Sequence, residues 1–559
     1  MEAKRAFSVK NAAAAILAAA ILWICLFSGL ASIGLVGPDE PRYAWIARNM
    51  AETGNWVTPI LYGKPWFEKP ILYYWSAAIG FKFLHSPEWA ARLPSSLAAL
   101  AAVLAMAWLA WRRYGAATAW AVLLILPTCF GVIGFSRAAA PDMLFAASLA
   151  LAIACAASVV SKNPSLPPGE EASRPNDKAA LIFLGVWLGT ATLAKGPAAV
   201  ILAGGSVVLW ALFTGKSKTA IRMLHPLAIV SFAVVALPWY VLCSVRNPDF
   251  FKVFILQHNF GRYLTPEFHH RQPFWFFVPI ILAGILPWIA LLGGVAIDAR
   301  RIWRERAQAD SLGAFIGCWV VFPLLFFSLS QSKLPGYILP AIPPLALLLA
   351  HSYARRMSSA PRAARWIGVA TGALWIALAL AAPRLVRGLP TKAFASGELH
   401  QLTETVFWAA IGAGILIILL SAVRRYFVAA IICAVCVAAL TLYANRRVLP
   451  KVDPYISSRA LAKIVPLPLP NSPRGVPLIG VNRDCEYGVK FYRPEISFVT
   501  WDEQTSASSM NSFTGYALIG PEGDAILAGT QLDRHFARSY TKECAIEFLS
   551  PKEMTLRNR

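Results

Sequence analysis

The sequence predicts a polytopic α-helical membrane protein that ends in a small α/β domain. Of its 559 residues, 57% are hydrophobic and only 14% are charged, and the mean hydropathy is +0.55. Soluble domains carry about 25% charged residues, so this composition excludes an ordinary soluble enzyme. Apolar runs of about twenty residues, the length that crosses a bilayer, recur as far as residue 445. Short alternating runs in residues 446–559 predict strands instead.

The net charge of +23 comes mainly from short basic loops. These loops alternate with apolar segments, which is the positive-inside pattern of membrane proteins. The pattern makes nucleic-acid binding a poor explanation of the charge. Because the first apolar run follows the basic stretch MEAKRAFSVK, the sequence places the N-terminus in the cytosol.

About thirteen spans satisfy both apolar length and the charge pattern. The first is too long for the apolar part of a typical cleaved signal peptide. Since the number is odd, the C-terminal tail lies on the side opposite the N-terminus. A Pro-rich polar stretch after residue 160 predicts a flexible cytosolic loop. The spans are predicted near residues 11–36, 89–110, 116–134, 143–160, 179–194, 197–213, 223–243, 273–297, 312–330, 336–354, 365–385, 403–421 and 427–445.

The external loop of residues 37–88 contains two acidic clusters at the membrane boundary. Asp39 and Glu40 come directly after the first span, and Glu68 with Lys69 precedes the next apolar run. Ionisable groups at this depth are costly unless they face a cavity or a partner, so they predict a functional site. A topogenic or snorkelling role is the alternative. Amphipathic and aromatic stretches of the loop predict helices that lie in the interface.

Other external segments carry further polar candidates. Cations at the boundary hold a phosphate and stabilise it as a leaving group, and a carboxylate orients or deprotonates an acceptor. This mixture suits a phosphate-bearing lipid substrate. Glu68 and His258 are natural ligands of a divalent metal such as Zn²⁺, although two ligands are a weak signal. The further candidates are Asp142, Lys195, His258, Arg262, Lys333 and Tyr337.

The nine cysteines fall into two groups. Seven lie within or beside apolar segments, where packing explains them. Cys485 and Cys544 belong to the polar tail. If the tail is outside the cytosol a disulfide between them becomes feasible, but the sequence does not fix it.

Seven motifs follow one another through roughly residues 20–350. They resemble the bacterial aminoarabinose transferases, which belong to the protein-mannosyltransferase-like (GT-C) superfamily of lipid-linked sugar transferases. The early acidic motif marks the superfamily, and the later motifs together are more specific. The motifs are GPDEPRYAWIARNM, YGKPWFEKPILYYW, APDMLF, LAKGP, QHNFGRY, HRQPFWFFVPIILAGILPW and SKLPGYILP.

The resemblance implies a GT-C fold in the bacterial inner membrane, with residues 1–445 as the catalytic membrane domain. Residues 446–559 would form a periplasmic α/β domain that caps the enzyme or binds a partner. The implied activity is inverting transfer of 4-amino-4-deoxy-L-arabinose from undecaprenyl phosphate to lipid A, which gives resistance to cationic peptides such as polymyxin.

The resemblance also assigns roles to the candidate residues. Asp39 and Asp142 match catalytic acidic positions, and we group the adjacent Glu40 with them. Lys69 matches a phosphate-contacting lysine, and Glu68 with His258 matches a metal-binding pair. The motifs that line the lipid-phosphate cavity contain Lys195, Arg262, Lys333 and Tyr337.

Departures from the family pattern leave alternatives open. The first motif is DEPRY here, where the relatives more often have DETRY, and relatives also move mannose or an amino-hexose to proteins or other lipids. A lipid transporter is the alternative without chemistry, but it would place charges near the midplane and show internal repeats. A catalytically inactive partner subunit would be expected to lack Asp39 or Lys69, which this chain retains.

Overall fold

The structure is a computed structural model. It describes residues 2–160, 175–264, 271–307, 312–467, 475–501, 510–511, 513–528, 530–541 and 544–551. Most of the Pro-rich loop predicted after residue 160 lies outside this description.

The first part of the chain is helical apart from one small hairpin. Helix α4 begins with the side chain of Ser86 accepting a hydrogen bond from the Trp89 amide, and Pro87 occupies its first turn. The elements up to residue 246 are α1 (Glu2–Leu22), α2 (Asp39–Thr53), β1 (Ile60–Leu61), β2 (Lys64–Pro65), α3 (Leu72–Phe83), α4 (Pro87–Tyr114), α5 (Ala116–Ile125), α6 (Phe130–Ser136), α7 (Asp142–Val160), α8 (Pro175–Lys195), α9 (Ala198–Thr214), α10 (Ser217–Arg222) and α11 (Pro226–Arg246).

The second part continues with helices to residue 464. A π-helical segment, Phe251–Gly261, precedes them, and a 3₁₀ segment, Pro335–Ala341, leads into α16. The helices are α12 (Arg262–Leu264), α13 (Phe277–Gly284), α14 (Leu292–Arg304), α15 (Leu312–Leu329), α16 (Ile342–Ser359), α17 (Pro361–Val386), α18 (Glu398–Ala422), α19 (Tyr426–Tyr443), α20 (Leu449–Ile456) and α21 (Arg459–Ile464).

The apolar segments predicted to span the membrane are helical. Nine described helices are long and apolar enough to cross a bilayer, or up to eleven if each of two bent pairs counts as one span. The predicted spans near 11–36 and 197–213 correspond to shorter apolar helices, Ala12–Phe27 and Ala198–Thr214. The polytopic helical fold is therefore confirmed. The bent pairs are Ala116–Thr128 with Phe130–Ser136 and Phe274–Gly284 with Trp288–Arg304.

Two spans form the centre of the membrane part. The apolar windows of Asp142–Val160 and Pro335–Ser359 are 83% and 89% buried, whereas that of α11 is 22% buried. A peripheral helix can face lipid with most of its surface, but a central one packs on all sides. Asp142 and Tyr337 lie at the starts of the two central spans, so the fold holds both residues on rigid elements.

The predicted α/β domain forms the C-terminal part of the chain. Its five strands have the order β4-β3-β5-β7-β6, with β3 parallel to β4 and β5 and with β7 antiparallel to β5 and β6. Leu478 and Ile479 belong to separate buried clusters, as the alternation of side chains along a strand requires. The elements are β3 (Val476–Ile479), α22 (Arg483–Tyr492), β4 (Phe498–Trp501), β5 (Gly515–Ile519), α23 (Gly523–Leu527), β6 (Leu532–Thr541) and β7 (Cys544–Pro551).

A disulfide joins Cys485 in α22 to Cys544 at the start of β7. The bond that the sequence left open is therefore present in the structure. It ties the helix that faces the membrane part to the sheet behind it.

Buried polar contacts fasten the C-terminal part to the first external loop. The Tyr492 hydroxyl donates to Glu88 Oε1 (2.9 Å) and accepts from the Leu35 amide (2.8 Å). Arg459 pairs with Glu88 (3.2 Å) and with Asp453 (2.7 Å). Because Glu88 is 4% exposed, these partners replace the water that the carboxylate loses on burial.

We expect Tyr492→Phe to loosen this junction. The substitution removes both hydrogen bonds of the hydroxyl and leaves a buried amide and carboxylate with one partner fewer, which costs about 1–3 kcal/mol. The measurement is the thermal unfolding temperature of the purified protein together with proteolysis of the tail. Tyr516→Phe, in the sheet of the C-terminal domain, is the control. Equal unfolding temperatures for the two variants would contradict the assignment.

Candidate active site

Glu40 is held by a buried arginine of the following helix. Arg92 Nη2 lies 2.6 Å from Glu40 Oε2, and Arg92 Nε lies 3.2 Å from Oε1. The amides of Val36 (2.8 Å) and Ala139 (2.7 Å) donate to the same carboxylate. Four donors thus occupy the two oxygens of Glu40, which fixes the start of α2 against α4.

Arg42, one helical turn into α2, joins two other acids. Its guanidinium pairs with Asp39 and lies 3.0 Å from Glu68 Oε2. Burial lowers the pKa of Arg42, but Tyr43 and the carboxylates of Glu68 and Asp39 outweigh that effect and raise it above its ordinary value. The guanidinium therefore stays charged between the two acidic motifs.

The two acids that share Arg42 differ in exposure. The side chain of Asp39 is 60% exposed, whereas that of Glu68 is 14% exposed and also lies 3.8 Å from Lys69 Nζ. Asp39 can therefore meet an incoming group without leaving its arginine. Glu68 instead faces the interior beside Lys69.

Asp142 and Lys195 form a second ion pair. Asp142 is the first residue of α7 and Lys195 the last of α8, and their Oδ1 and Nζ atoms are 2.7 Å apart. The ammonium also lies over the ring of Tyr337, 5.2 Å from its centroid. Gly336 permits this approach, because a β-carbon there would lie 2.4 Å from Asp142 Oδ1.

A cavity of about 390 Å³ collects most of the predicted phosphate and metal residues, and we call it the donor cavity. Its wall is mainly apolar and aromatic, with the charged groups confined to a few positions. Such a lining fits a molecule with an apolar chain and an anionic head. Of the candidates from the sequence, it is lined by Glu68, Lys69, Lys195, His258 and Tyr337.

The remaining candidates lie around this cavity. Lys333 is 7% exposed and donates to the carbonyl of Ser330 (2.5 Å), a residue that lines the cavity. The backbone of Arg262 is helical, but its side chain lies outside the described residues. Asp39 and Glu40 do not line the cavity, and Asp39 reaches it only through Arg42 and Glu68.

Similarity to known proteins agrees with this geometry. The family model for dolichyl-phosphate-mannose-protein mannosyltransferase matches residues 11–254. The undecaprenyl phosphate-α-4-amino-4-deoxy-L-arabinose arabinosyl transferase of Erwinia tasmaniensis is 35% identical over 390 residues, which is 68% of each chain. The chain belongs to this family of arabinosyl transferases. It is therefore a glycosyltransferase, and the family that its motifs predict is confirmed.

Other relatives match over a smaller share of their length. The arabinosyl transferases of Enterobacter sp. and Edwardsiella ictaluri are 32% and 33% identical, over 67% and 57% of this chain and 66% and 56% of theirs. The crystal structure of ArnT from Cupriavidus metallidurans bound to undecaprenyl phosphate superposes with a TM-score of 0.78, covering 96% of this chain and 97% of that one. At 22% identity, that likeness shows the fold and confirms the predicted GT-C architecture.

The arginines of this transferase site were not among the residues predicted from the sequence. Arg42 follows Asp39 by three positions, a spacing that places both on one helix face. Arg92 lies near the start of an apolar helix, where a charge signals a buried partner. Tyr487 of α22 carried no signal, because only the fold brings its ring within 6.0 Å of the Arg42 guanidinium carbon.

We expect Gly336→Ala to lower glycosyl transfer about ten- to a hundredfold, since the new methyl group displaces the Asp142 carboxylate from Lys195. Initial rates with purified enzyme measure the effect. The matched control is Gly317→Ala in α15, where, among the described residues and outside its own helix, a β-carbon meets no atom within 4 Å. Equal rates for the two variants would show that the tight contact is not needed.

Proposed function

We propose that this enzyme transfers 4-amino-4-deoxy-L-arabinose from undecaprenyl phosphate to a phosphate group of lipid A at the periplasmic face of the bacterial inner membrane. The single observation that carries the proposal is the donor cavity, where Lys69 and Lys195 stand at the polar end of an apolar wall. A polyprenyl phosphate has the matching chemistry, with an anionic head and a long apolar chain. The names of the arabinosyl transferase relatives support the donor sugar.

The proposed reaction is a displacement with inversion at the anomeric carbon. An oxygen of the acceptor phosphate forms the new bond to that carbon, and the bond to the undecaprenyl phosphate oxygen breaks. The bonding electron pair leaves on undecaprenyl phosphate. Lys69 and Lys195 stabilise the charge that develops on this leaving group.

Asp39 acts on the acceptor side in this proposal. Its exposed carboxylate, held by Arg42, orients the acceptor against the sugar. An acceptor phosphate is already ionised, so positioning matters more than proton removal. Glu40, although grouped with the catalytic acids in the sequence, is saturated by Arg92 and two amides, and we assign it a positioning role.

The orientation in the membrane follows from the tail. The disulfide Cys485–Cys544 belongs in an oxidising compartment, which supports a periplasmic tail. Since Tyr492 and Arg459 fasten the tail to the first external loop, the active site lies on the same face. The division into domains at residue 445 stays a prediction, and the helical stretch Tyr426–Ile456 runs across it.

A zinc ion between Glu68 and His258 also stays a prediction. Both residues line the donor cavity, and they would be its protein ligands, with the ion supplying Lewis-acid stabilisation of the phosphate. Catalytic zinc sites use three protein ligands, and the described residues contain no group of three His, Cys, Asp or Glu side chains that could hold a metal. Arg42 and Lys69 already balance Glu68, so no step is routed through a metal.

Lipid A from cells with and without the protein tests the proposed function. We expect mass spectrometry to show the pentosamine increment only in cells that carry the intact chain. An unchanged lipid A spectrum would reject this acceptor and direct the search to other lipids and to glycoproteins.

We expect Asp39→Asn to abolish transfer while the protein stays folded, because the exposed carboxamide keeps the shape of the side chain but loses its charge. Transfer rate and unfolding temperature are measured together. Glu404→Gln, on the exposed part of α18, is the control. Normal transfer by the Asp39 variant would remove its assigned role.

Lys195→Met should lower kcat for transfer by about a hundred- to a thousandfold, the usual effect of deleting one group that stabilises developing negative charge. The stopping point of the reaction separates two explanations. If undecaprenyl phosphate-sugar still binds with unchanged affinity, Lys195 acts in the transition state. A rate within twofold of the wild type would place the leaving phosphate elsewhere in the cavity.

A further inference from the structure

A second and larger cavity lies where the C-terminal part meets the membrane part, and we call it the junction cavity. Its volume is about 1270 Å³. Pockets for small molecules usually measure about 300–1,000 Å³, so this one has room for more than a single sugar. Its walls come from the first external loop, from the connection between α17 and α18, from α20 and the residues that follow it, and from α22.

The charge of the lining is predominantly positive. Arg387, Lys392 and Lys451 line the junction cavity, and Asp484 is the only carboxylate among its lining residues in the part of the chain that the structure describes. Lys451 also pairs with Glu398, which holds the ammonium at the wall. Cations gathered on one concave surface attract an anionic group and bind it by charge-assisted hydrogen bonds.

The junction cavity reaches the active site through Gly37. This residue lines the cavity and precedes the exposed Asp39 by two positions. On the other side of Asp39, the contacts run through Arg42 to Glu68, which lines the donor cavity. Asp39 therefore stands on the path between two separate cavities, one apolar with a polar end and one cationic.

The walls of the junction cavity are tied to one another. Val36 and Ser457 form an antiparallel backbone bridge, and the Tyr455 hydroxyl donates to the Lys392 carbonyl (2.9 Å). The Leu35 amide donates to the Tyr492 hydroxyl of α22. The lining residues thus belong to one connected framework, which presents a preformed surface to a ligand.

We propose that the junction cavity binds the phosphorylated sugar head of the acceptor lipid and delivers its phosphate to Asp39. The inference rests on the proposed function and adds the place where the acceptor is held. Arg387 and Lys392 bind the phosphate groups of the head, and the open space at Gly37 admits the phosphate that receives the sugar. Donor and acceptor then approach Asp39 from opposite cavities.

The test uses the full-length enzyme in lipid nanodiscs and the double variant Arg387→Gln/Lys392→Gln. We expect the KM for lipid A to rise at least about tenfold, because two phosphate-binding cations are lost. The KM for undecaprenyl phosphate-sugar should stay unchanged, since neither residue lines the donor cavity. The conservative variant Arg387→Lys/Lys392→Arg should restore the acceptor KM. The control Arg300→Gln removes an exposed charge from α14, outside both cavities.

Binding of lipid A, measured separately by native mass spectrometry, distinguishes failure of the inference from failure of the proposed function. Weaker binding by the double variant, together with equal weak binding of dephosphorylated lipid A by both proteins, supports the junction cavity. Equal binding of intact lipid A by wild type and double variant overturns it, even if the wild type transfers the sugar. A wild type that binds lipid A through these cations without modifying it overturns the proposed function alone.

Discussion

The ion pair between Arg92 and Glu40 is the contact on which the external face depends. Arg92 also donates to the carbonyls of Leu30, Ile33 and Gly34, each at 2.7 Å. These residues form an irregular segment that leaves the first span, and irregular backbone at membrane depth is tolerated only where protein groups satisfy it. One arginine therefore terminates the span, shapes the segment and aims α2. Removing one partner of such a buried pair costs about 3–5 kcal/mol, because the other charge is left uncompensated.

The site separates its acids by giving each a different electrostatic setting. Glu40 is saturated by buried donors, Asp142 is paired with Lys195, and Glu68 lies between Arg42 and Lys69. Asp39 keeps an arginine partner but exposes most of its side chain. Neighbouring carboxylates thus stay ionised without facing one another, and one of them remains accessible to a second substrate. This arrangement explains why acidic residues that look equivalent in the sequence have unequal roles.

The sequence predicted the spans, the strands and most of the residues at the site, because these depend on local patterns. Apolar length gives a span and alternation gives β3 and β5. It did not distinguish Asp39 from Glu40, since the direction of each side chain depends on how α2 packs. It also gave no indication that Tyr492 would contact Leu35, which lies 457 positions away. Pairings over such distances are products of the whole fold and have no periodic signature.

The position of the C-terminal domain follows from the same contacts. A glycosyltransferase that joins two lipids must hold two apolar chains in the membrane while their polar heads meet outside it. The donor cavity is made by the membrane helices, but the polar head of a second lipid needs a wall above the bilayer. Helix α22 and the segment around Ser457 supply that wall, and Tyr487 brings it to the arginine that holds Asp39. Fastening this domain to the first external loop therefore completes the site on the side where the membrane helices end.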